Sequence, residues 1–384
     1  MSASREAITS EAIQAALATV HDPEINRPIT EIGMVRGFEV QPGGVVMVEV
    51  LLTVSACPMR DELTTRVTSA VSSVPGVSSV NVVLDVMSDE QRKELRSLLQ
   101  GHGDREIPFA QPGSLTRVYA IASGKGGVGK SSITANLAVA MADLGLTVGL
   151  LDADVYGHSI PRMLNSTERP TMVEGMMMPP QAYGVRVIST QMFKPGGVEQ
   201  PIAWRGPMLH RALQQFLADV WWGDLDVLLL DLPPGTGDVA MSTGALLPNA
   251  EIVVVTTPQA GAADVAVRAG TIAAQTHQKV AGVIENMSSF PCPACGEPMD
   301  LFGIGGGSIV AQTLSSTLGT NVPLLGKVPF DVALRTGGDN GEPIVRAKPD
   351  SPTATVLREI AATLGQRPRG LAGMSLGITP NRKA

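Results

Sequence analysis

Apolar residues recur at helical spacing between Thr9 and Val20, at Ile13, Ala16, Leu17 and Val20, with Thr9 or Ser10 placed to cap the first turn. Two extended runs, MVRGFEV and VVMVEVLLTV, flank QPGG, a turn signal that predicts a pair of strands. PMRDELTTRVTSAVSSV predicts a helix starting just after Cys57, and SSVNVVLDV predicts a third strand. Residues 1–87 therefore read as a small α/β domain. From Ser88 to Thr116 the chain turns polar, with GHGD and QPGSL as flexible stretches and EQRKELRSLL as a short helix-like piece; this predicts a linker over 88–116.

Beyond it, apolar runs alternate with helical segments. RVYAIAS, TVGLLDAD, VRVIST, DVLLLDLPP, IVVVTTP and VAGVIENM predict strands, and Lys130–Leu144, Met208–Val220 and Ala262–His277 predict helices. Such alternation implies an α/β fold with a doubly wound, mostly parallel sheet over residues 117–366, taking ligands at the carboxyl ends of its strands. No internal repeat or low-complexity tract is found, and residues 367–384 read as a disordered tail.

Composition narrows the class. The 384 residues are 44% apolar but only 3% aromatic, so the core is aliphatic, as parallel sheets covered by helices require. A formal charge of −7 supplies no broad basic field, and the weak clusters EQRKELR and NRKA read as solvated surface, which argues against nucleic acid and membrane partners. No apolar run approaches the ~18 residues of a membrane span, and MSASREAITSEAIQ lacks the pattern of a signal peptide, so the expected location is cytoplasmic. Three cysteines make no disulfide framework; in a reducing compartment the C-x-x-C pair Cys292 and Cys295 points to metal or redox chemistry.

The densest signal is SGKGGVGKSS. Gly124, Gly129, Lys130 and Ser131 complete a G-x-x-x-x-G-K-[ST] phosphate loop between an apolar strand and a helix whose apolar face includes Ile133, Leu137, Ala138 and Met141. Backbone N–H groups of Gly124, Lys125, Gly126, Gly127, Val128, Gly129, Lys130, Ser131 and Ser132 would cradle the phosphates of ATP. Lys130 would meet the β and γ oxygens, and Ser131 would hold Mg²⁺. Asp231, directly after an apolar strand in LLLDLPPGTGD, suits a Mg²⁺-holding carboxylate. In LLDADVYGHS, Asp152 and Asp154 could each orient water or Mg²⁺; Asp152 could equally cap the next segment, whereas a functional role is the better reading of Asp154.

KGGVGKS, LLDADVYGHSIP, DLPPGTGD and VIENMS together resemble the deviant Walker A ATPases, most closely the Mrp-type iron–sulfur carrier proteins; HDPE, RPITEIGMV and LTVSACP extend the resemblance over the small N-terminal domain. It implies a role for the surplus Lys125: reaching across a homodimer to the nucleotide of the other subunit, where a second cation stabilises charge on the scissile phosphate. It also implies that Asn286 in VIENMS and the VPFD segment at Val328–Asp331 meet adenine, although an asparagine in a turn is an ordinary alternative. It implies further that a 4Fe–4S cluster is carried, received from scaffold proteins and passed to apo iron–sulfur proteins.

Cys292 and Cys295 aim two thiolates at one metal, while zinc and iron–sulfur sites usually need four ligands, so two chains on a two-fold axis would complete the set. A zinc knuckle stays open as an alternative, and a thioredoxin-type redox pair is disfavoured by its place after a late strand. Cys57, at a helix start, reads equally as a metal ligand or as a small buried residue. His21, Asp22 and Glu24 read as a helix end and turn. The reading that results is a cytoplasmic, homodimeric, ATP-hydrolysing cluster carrier with Lys125, Lys130 and Asp154 catalytic. Its rivals are a division or partition ATPase, which would need an amphipathic terminus or basic surface, and an electron-transferring ATPase like the nitrogenase iron protein.

Overall fold

A computed structural model describes residues 8–25, 27–53, 59–100, 106–155, 157, 159–173, 176–193, 206–292 and 294–366. Cys57 and the tail 367–384 lie outside the described residues. The chain forms two compact units, one of residues 1–106, 170–179 and 219–223, the other of the remainder.

In the first unit, α1 (Ser10–Ala18) is capped by the Thr9 hydroxyl, which accepts from Ala12 N, and it buries Ile13 and Leu17. β1 (Val35–Gln41) and β2 (Val45–Leu52) pair antiparallel across the predicted turn. After α2 (Arg60–Ser72), β3 (Ser79–Val86) returns parallel to β2, completing a three-stranded sheet. α3 (Asp89–Gln100) then occupies part of the stretch expected to be a linker, and its Leu95 is buried in this unit's core.

The second unit opens with β4 (Arg117–Ser123), α4 (Lys130–Asp143), β5 (Val148–Asp152) and the short α5 (Ile160–Met163). Next come β6 (Thr171–Val173) and β7 (Met176–Met178), an antiparallel hairpin that belongs to the first unit, with Val173, Met176 and Met178 buried in its core. Trp221, on the other inserted segment, donates from Nε1 to Ile25 O in that same unit. These two segments lie within 117–366, so sequence periodicity alone does not separate the units at one point.

β8 (Gln181–Ala182), β9 (Val185–Ser189), α6 (Gly206–Ala218), β10 (Val227–Asp231), α7 (Asp238–Leu246), β11 (Glu251–Thr256), α8 (Ala260–Thr276) and β12 (Lys279–Asn286) continue the second unit. After them come the small strands β13 (Phe290–Pro291) and β14 (Pro298–Met299), then α9 (Gly306–Leu318), β15 (Leu324–Val328), α10 (Val332–Asn340), α11 (Ile344–Ala347) and α12 (Pro352–Gly365). The sheet runs β15-β12-β11-β4-β10-β5-β9-β8, parallel except for β8. From β4 the chain builds first toward β5 and β9, then fills β10 and crosses to β11, so the order reverses around β4 and opens a crevice at its carboxyl end.

The helix after the phosphate loop is more buried than its sequence pattern predicts. Every residue from Ile133 to Met141 of α4 is buried, because α12 covers the side away from the sheet with Leu357, Ile360, Ala361 and Leu364. A helix apolar on all sides belongs in such a sandwich. The carbonyl of Leu364 at the end of α12 accepts from both Tyr119 Oη (3.0 Å) and Arg117 (2.9 Å), tying that cover to the strand that leads into the loop. Among the described residues no helix is long and apolar enough to cross a membrane.

Candidate functional site

Parallel register brings the strand ends together: Asp231 lies opposite Asp152 and Ile121, so the acidic residues meet beside the loop that follows β4. That loop, with Ser123, Asp154, Gly157, Ser159, Met163 and Pro234, lines a cavity of about 430 Å³. Two glycines permit its path. A Cβ on Gly124 would fall 2.3 Å from the Val265 carbonyl carbon of α8, and Gly129, at φ 82°, has Asn286 Nδ2 2.3 Å from where its Cβ would be. Side chains at either place would displace backbone or the loop itself.

The two residues expected to hold Mg²⁺ are in direct contact: Ser131 Oγ donates to Asp231 Oδ2 at 2.6 Å. Lys130 Nζ stands 2.7 Å from Asp231 Oδ1, a buried ion pair, and Thr134 Oγ1 donates to the same oxygen at 2.9 Å. Thr134 was not singled out by sequence, although its place one helical turn after Lys130 puts it on the same face of α4.

Asp152 sits fully buried, with Ser189 Oγ donating to its Oδ2 at 3.0 Å and the Asp154 amide donating to Oδ1 at 3.2 Å. Burial, and then the facing Asp231 carboxylate, push its pKa from 3.8 up to about 8, against the opposing pull of Ser189 and Lys130 and with Asp154 adding to the rise. Ser189, at the end of β9, is a further site residue that sequence reading passed over. A carboxyl raised in this way takes up a proton on folding, so native stability falls as pH rises from about 4 to about 8 and levels off above. Asp152→Asn should flatten that slope, which urea midpoints measured at the two ends of the window would show.

Asp154 accepts from the Gly157 amide at 2.8 Å and is nearly buried at the cavity wall. Lys125 is half-buried and donates to Gln259 Oε1 at 2.9 Å, at the start of α8. Asn286 is 2% exposed and its Nδ2 donates to Val128 O at 2.8 Å. Its amide is thus turned to the phosphate loop, with one N–H of its NH2 group engaged there and Oδ1 buried and unpaired. In VPFD, Asp331 accepts from Ala333 N at the start of α10 and from Thr353 Oγ1, a capping role. Asp22 likewise accepts from Glu24 N and Ile25 N, the turn its sequence suggests.

Cys292 and Cys295 are free thiols on the tip between β13 and β14, half-buried and exposed respectively. The tip is closed by Cys292 N donating to Glu297 O and Gly296 N donating to Cys292 O, both 2.8 Å. Backbone N–H groups of Cys295 and Ala294, and then the Cys295 side chain, hold the Cys292 thiol below its ordinary range, which favours the thiolate a metal needs. Among the described residues no group of three or more His, Cys, Asp or Glu side chains is arranged to hold a metal ion.

Residues 114–365 match the family described as NUBPL iron-transfer P-loop NTPase, and residues 10–82 match the family of iron–sulfur cluster assembly proteins. The chain belongs to the iron-transfer P-loop NTPases. It is 60% identical over 385 residues to a protein of Mycobacterium bovis named iron–sulfur cluster carrier protein, with all of both chains covered. A protein of Deinococcus radiodurans with the same name is 43% identical over 92% of this chain and 94% of its own. Among solved structures, the nucleotide-binding protein of Archaeoglobus fulgidus in complex with ADP covers 70% of this chain and 96% of its own, at 32% identity and a TM-score of 0.49. Membership in this family makes the phosphate loop that of an ATPase, as its strand–loop–helix context predicts.

Proposed function

We propose that the chain acts as a homodimeric, ATP-dependent carrier that receives a 4Fe–4S cluster from scaffold proteins and passes it to apo iron–sulfur proteins in the cytoplasm, hydrolysing ATP slowly. The observation that carries this reading is the exposed tip with two free thiols and no third ligand nearby among the described residues. A cluster requiring four thiolates is completed by the same tip of a second copy.

The nucleotide site fits Mg-ATP. The glycine cradle leaves the loop amides open to phosphate, and the unpaired Asn286 Oδ1 is an acceptor of the kind the adenine amino group satisfies. Lys130 would turn from Asp231 to the β and γ oxygens. The hydroxyl of Ser131 and the carboxylate of Asp231 are hard oxygen donors suited to Mg²⁺, which would neutralise charge on the phosphates. Asp154, at the cavity wall, would orient the attacking water, and Lys125, released from Gln259, would reach the partner's nucleotide.

Anaerobic reconstitution with iron and sulfide tests this reading, read by the visible spectrum and the particle mass. A brown dimer with about four iron atoms per two chains is expected; a colourless zinc protein would refute the cluster. Lys125→Ala should leave nucleotide affinity nearly intact and lower turnover, as for a group acting on the transition state. Mixing Lys125→Ala with Asp154→Ala chains should restore activity in the mixed dimers if Lys125 acts across the interface; activity no higher than that of the separate variants would count against it.

A further inference from the structure

The end of β12 touches both halves of the proposed chemistry. In an extended strand, consecutive side chains point to opposite faces. Met287 departs from this: its φ is 57°, the left-handed region that residues other than glycine seldom occupy. As a result its side chain and that of Asn286 converge on one point of the phosphate loop. A Cβ at Gly129 would lie 2.3 Å from Asn286 Nδ2 and 3.8 Å from Met287 Cε.

The chain from this turn leads directly to the thiols. Ser288 N donates to Val328 O at 3.0 Å and Phe330 N donates to Ser289 O at 2.7 Å, so the few residues before Cys292 are pinned and pass on a rotation instead of absorbing it. Phe290, before the cysteines, and Phe302, after them, both pack on Phe330, with ring centroids 5.7 and 5.8 Å away. Glu285, the residue before Asn286, is buried and accepts from Gly307 N at 2.6 Å, where the returning chain enters α9. One short segment, residues 285–289, therefore holds the phosphate loop and both ends of the cysteine loop.

We propose that Met287 is a positioning residue whose left-handed turn couples nucleotide occupancy of the phosphate loop to the accessibility of Cys292 and Cys295. A left-handed methionine persists only while its surroundings hold it there. When phosphate reshapes the loop around Gly129, the surroundings of the Met287 side chain change. Relaxation of the turn swings its side chain off the loop and re-aims the strand that carries the thiols. This rests on the reading above, and it gives ATP a means of opening or closing the cluster site. Linkage makes the effect reciprocal, so a bound cluster changes nucleotide affinity by the same factor.

The test uses the full, reduced, cluster-free chain with Mg²⁺ and a non-hydrolysable ATP analogue. The alkylation rate is read by mass spectrometry on the peptide containing Cys292 and Cys295, which excludes Cys57 from the signal, and analogue affinity is measured in parallel. In the natural chain, saturating analogue should change the rate about five-fold or more. In Met287→Gly the backbone adopts either hand freely. That variant should still bind the analogue, with the rate no longer responding to it; Met287→Ala serves the same purpose should the glycine chain not fold. Met287→Leu, which keeps an apolar side chain at the turn, should retain the response. A natural chain that binds the analogue without any change in rate overturns the coupling, as does a glycine or alanine variant that responds fully or a leucine variant that loses the response. Failure of the natural chain to bind the analogue at all would instead remove the functional reading on which the coupling rests.

Discussion

Lys130→Ala is expected to abolish measurable binding of Mg-ATP and, separately, to destabilise the nucleotide-free protein. The two losses have different causes. In binding, the ammonium is a buried cation at the first position of α4 that lines the cavity, and the amides that remain cannot neutralise a triphosphate. Truncating a buried partner of this kind costs about 2–5 kcal/mol, roughly thirty-fold to several thousand-fold in affinity. In the free protein, Lys130 is 2.7 Å from Asp231, and the exposures of the two side chains are 6% and 0%. Removing one partner leaves the other charge buried, at a cost of about 3–5 kcal/mol. The double variant Lys130→Ala with Asp231→Asn should recover much of the stability, because no charge is left buried and the asparagine amide offers its oxygen to one of the Ser131 and Thr134 hydroxyls and its NH2 to the other, yet bind no better. Titration with a fluorescent ATP analogue and urea unfolding measure the two effects independently; unchanged affinity in the single variant would remove Lys130 from the site.

Cys292→Ala and Cys295→Ala should each eliminate the brown chromophore completely while ATP binding remains largely intact. A shared cluster leads to this all-or-none result. If each chain contributes two thiolates, one substitution present in both copies removes two ligands of four, and a cluster held by two is not retained. A cluster belonging to one chain, with other groups filling the set, would lose one ligand and keep part of its colour. The separation from nucleotide binding follows from location, since neither cysteine lines the cavity around the phosphate loop. Cys57→Ala, in the small domain, should leave the chromophore in place. Iron near four per chain in a monomeric fraction, or a partly coloured Cys295→Ala protein, would overturn sharing.

Much of the candidate site can be read from order along the chain, because the loop and each acidic residue follow an apolar strand, and parallel strands expose their ends on one side. The loop and Asp154 line one cavity, Asp231 meets the loop at Ser131 with Asp152 beside it, and Asn286 meets it at Val128, while the elements named from periodicity recur within a few residues of the expected bounds. Less visible was everything that depends on what faces a residue from elsewhere. Thr134 and Ser189 carry no motif, and their importance comes from the carboxylates they meet. The hairpin β6–β7 looks like part of the larger domain until its apolar side is found in the core of the smaller one. The resemblance points Asn286 to adenine, while only the folded chain shows that one of its amide N–H groups is given to the loop carbonyl of Val128.

The sequence by itself determined the kind of chemistry. Phosphate binding needs a run of amides ahead of a helix, and a metal tip needs two thiols at close spacing; both are local requirements, satisfied within a few consecutive residues and so written in them. The tertiary structure alone decided which groups are paired, which are protonated and which are coupled. The ion pair of Lys130 with Asp231 joins the start of α4 to the end of β10, the raised pKa of Asp152 arises from burial by the folded chain, and the left-handed Met287 is a property of backbone held from outside. Such features depend on dielectric and on distance between residues remote in sequence, and those quantities come into being only when the chain has packed.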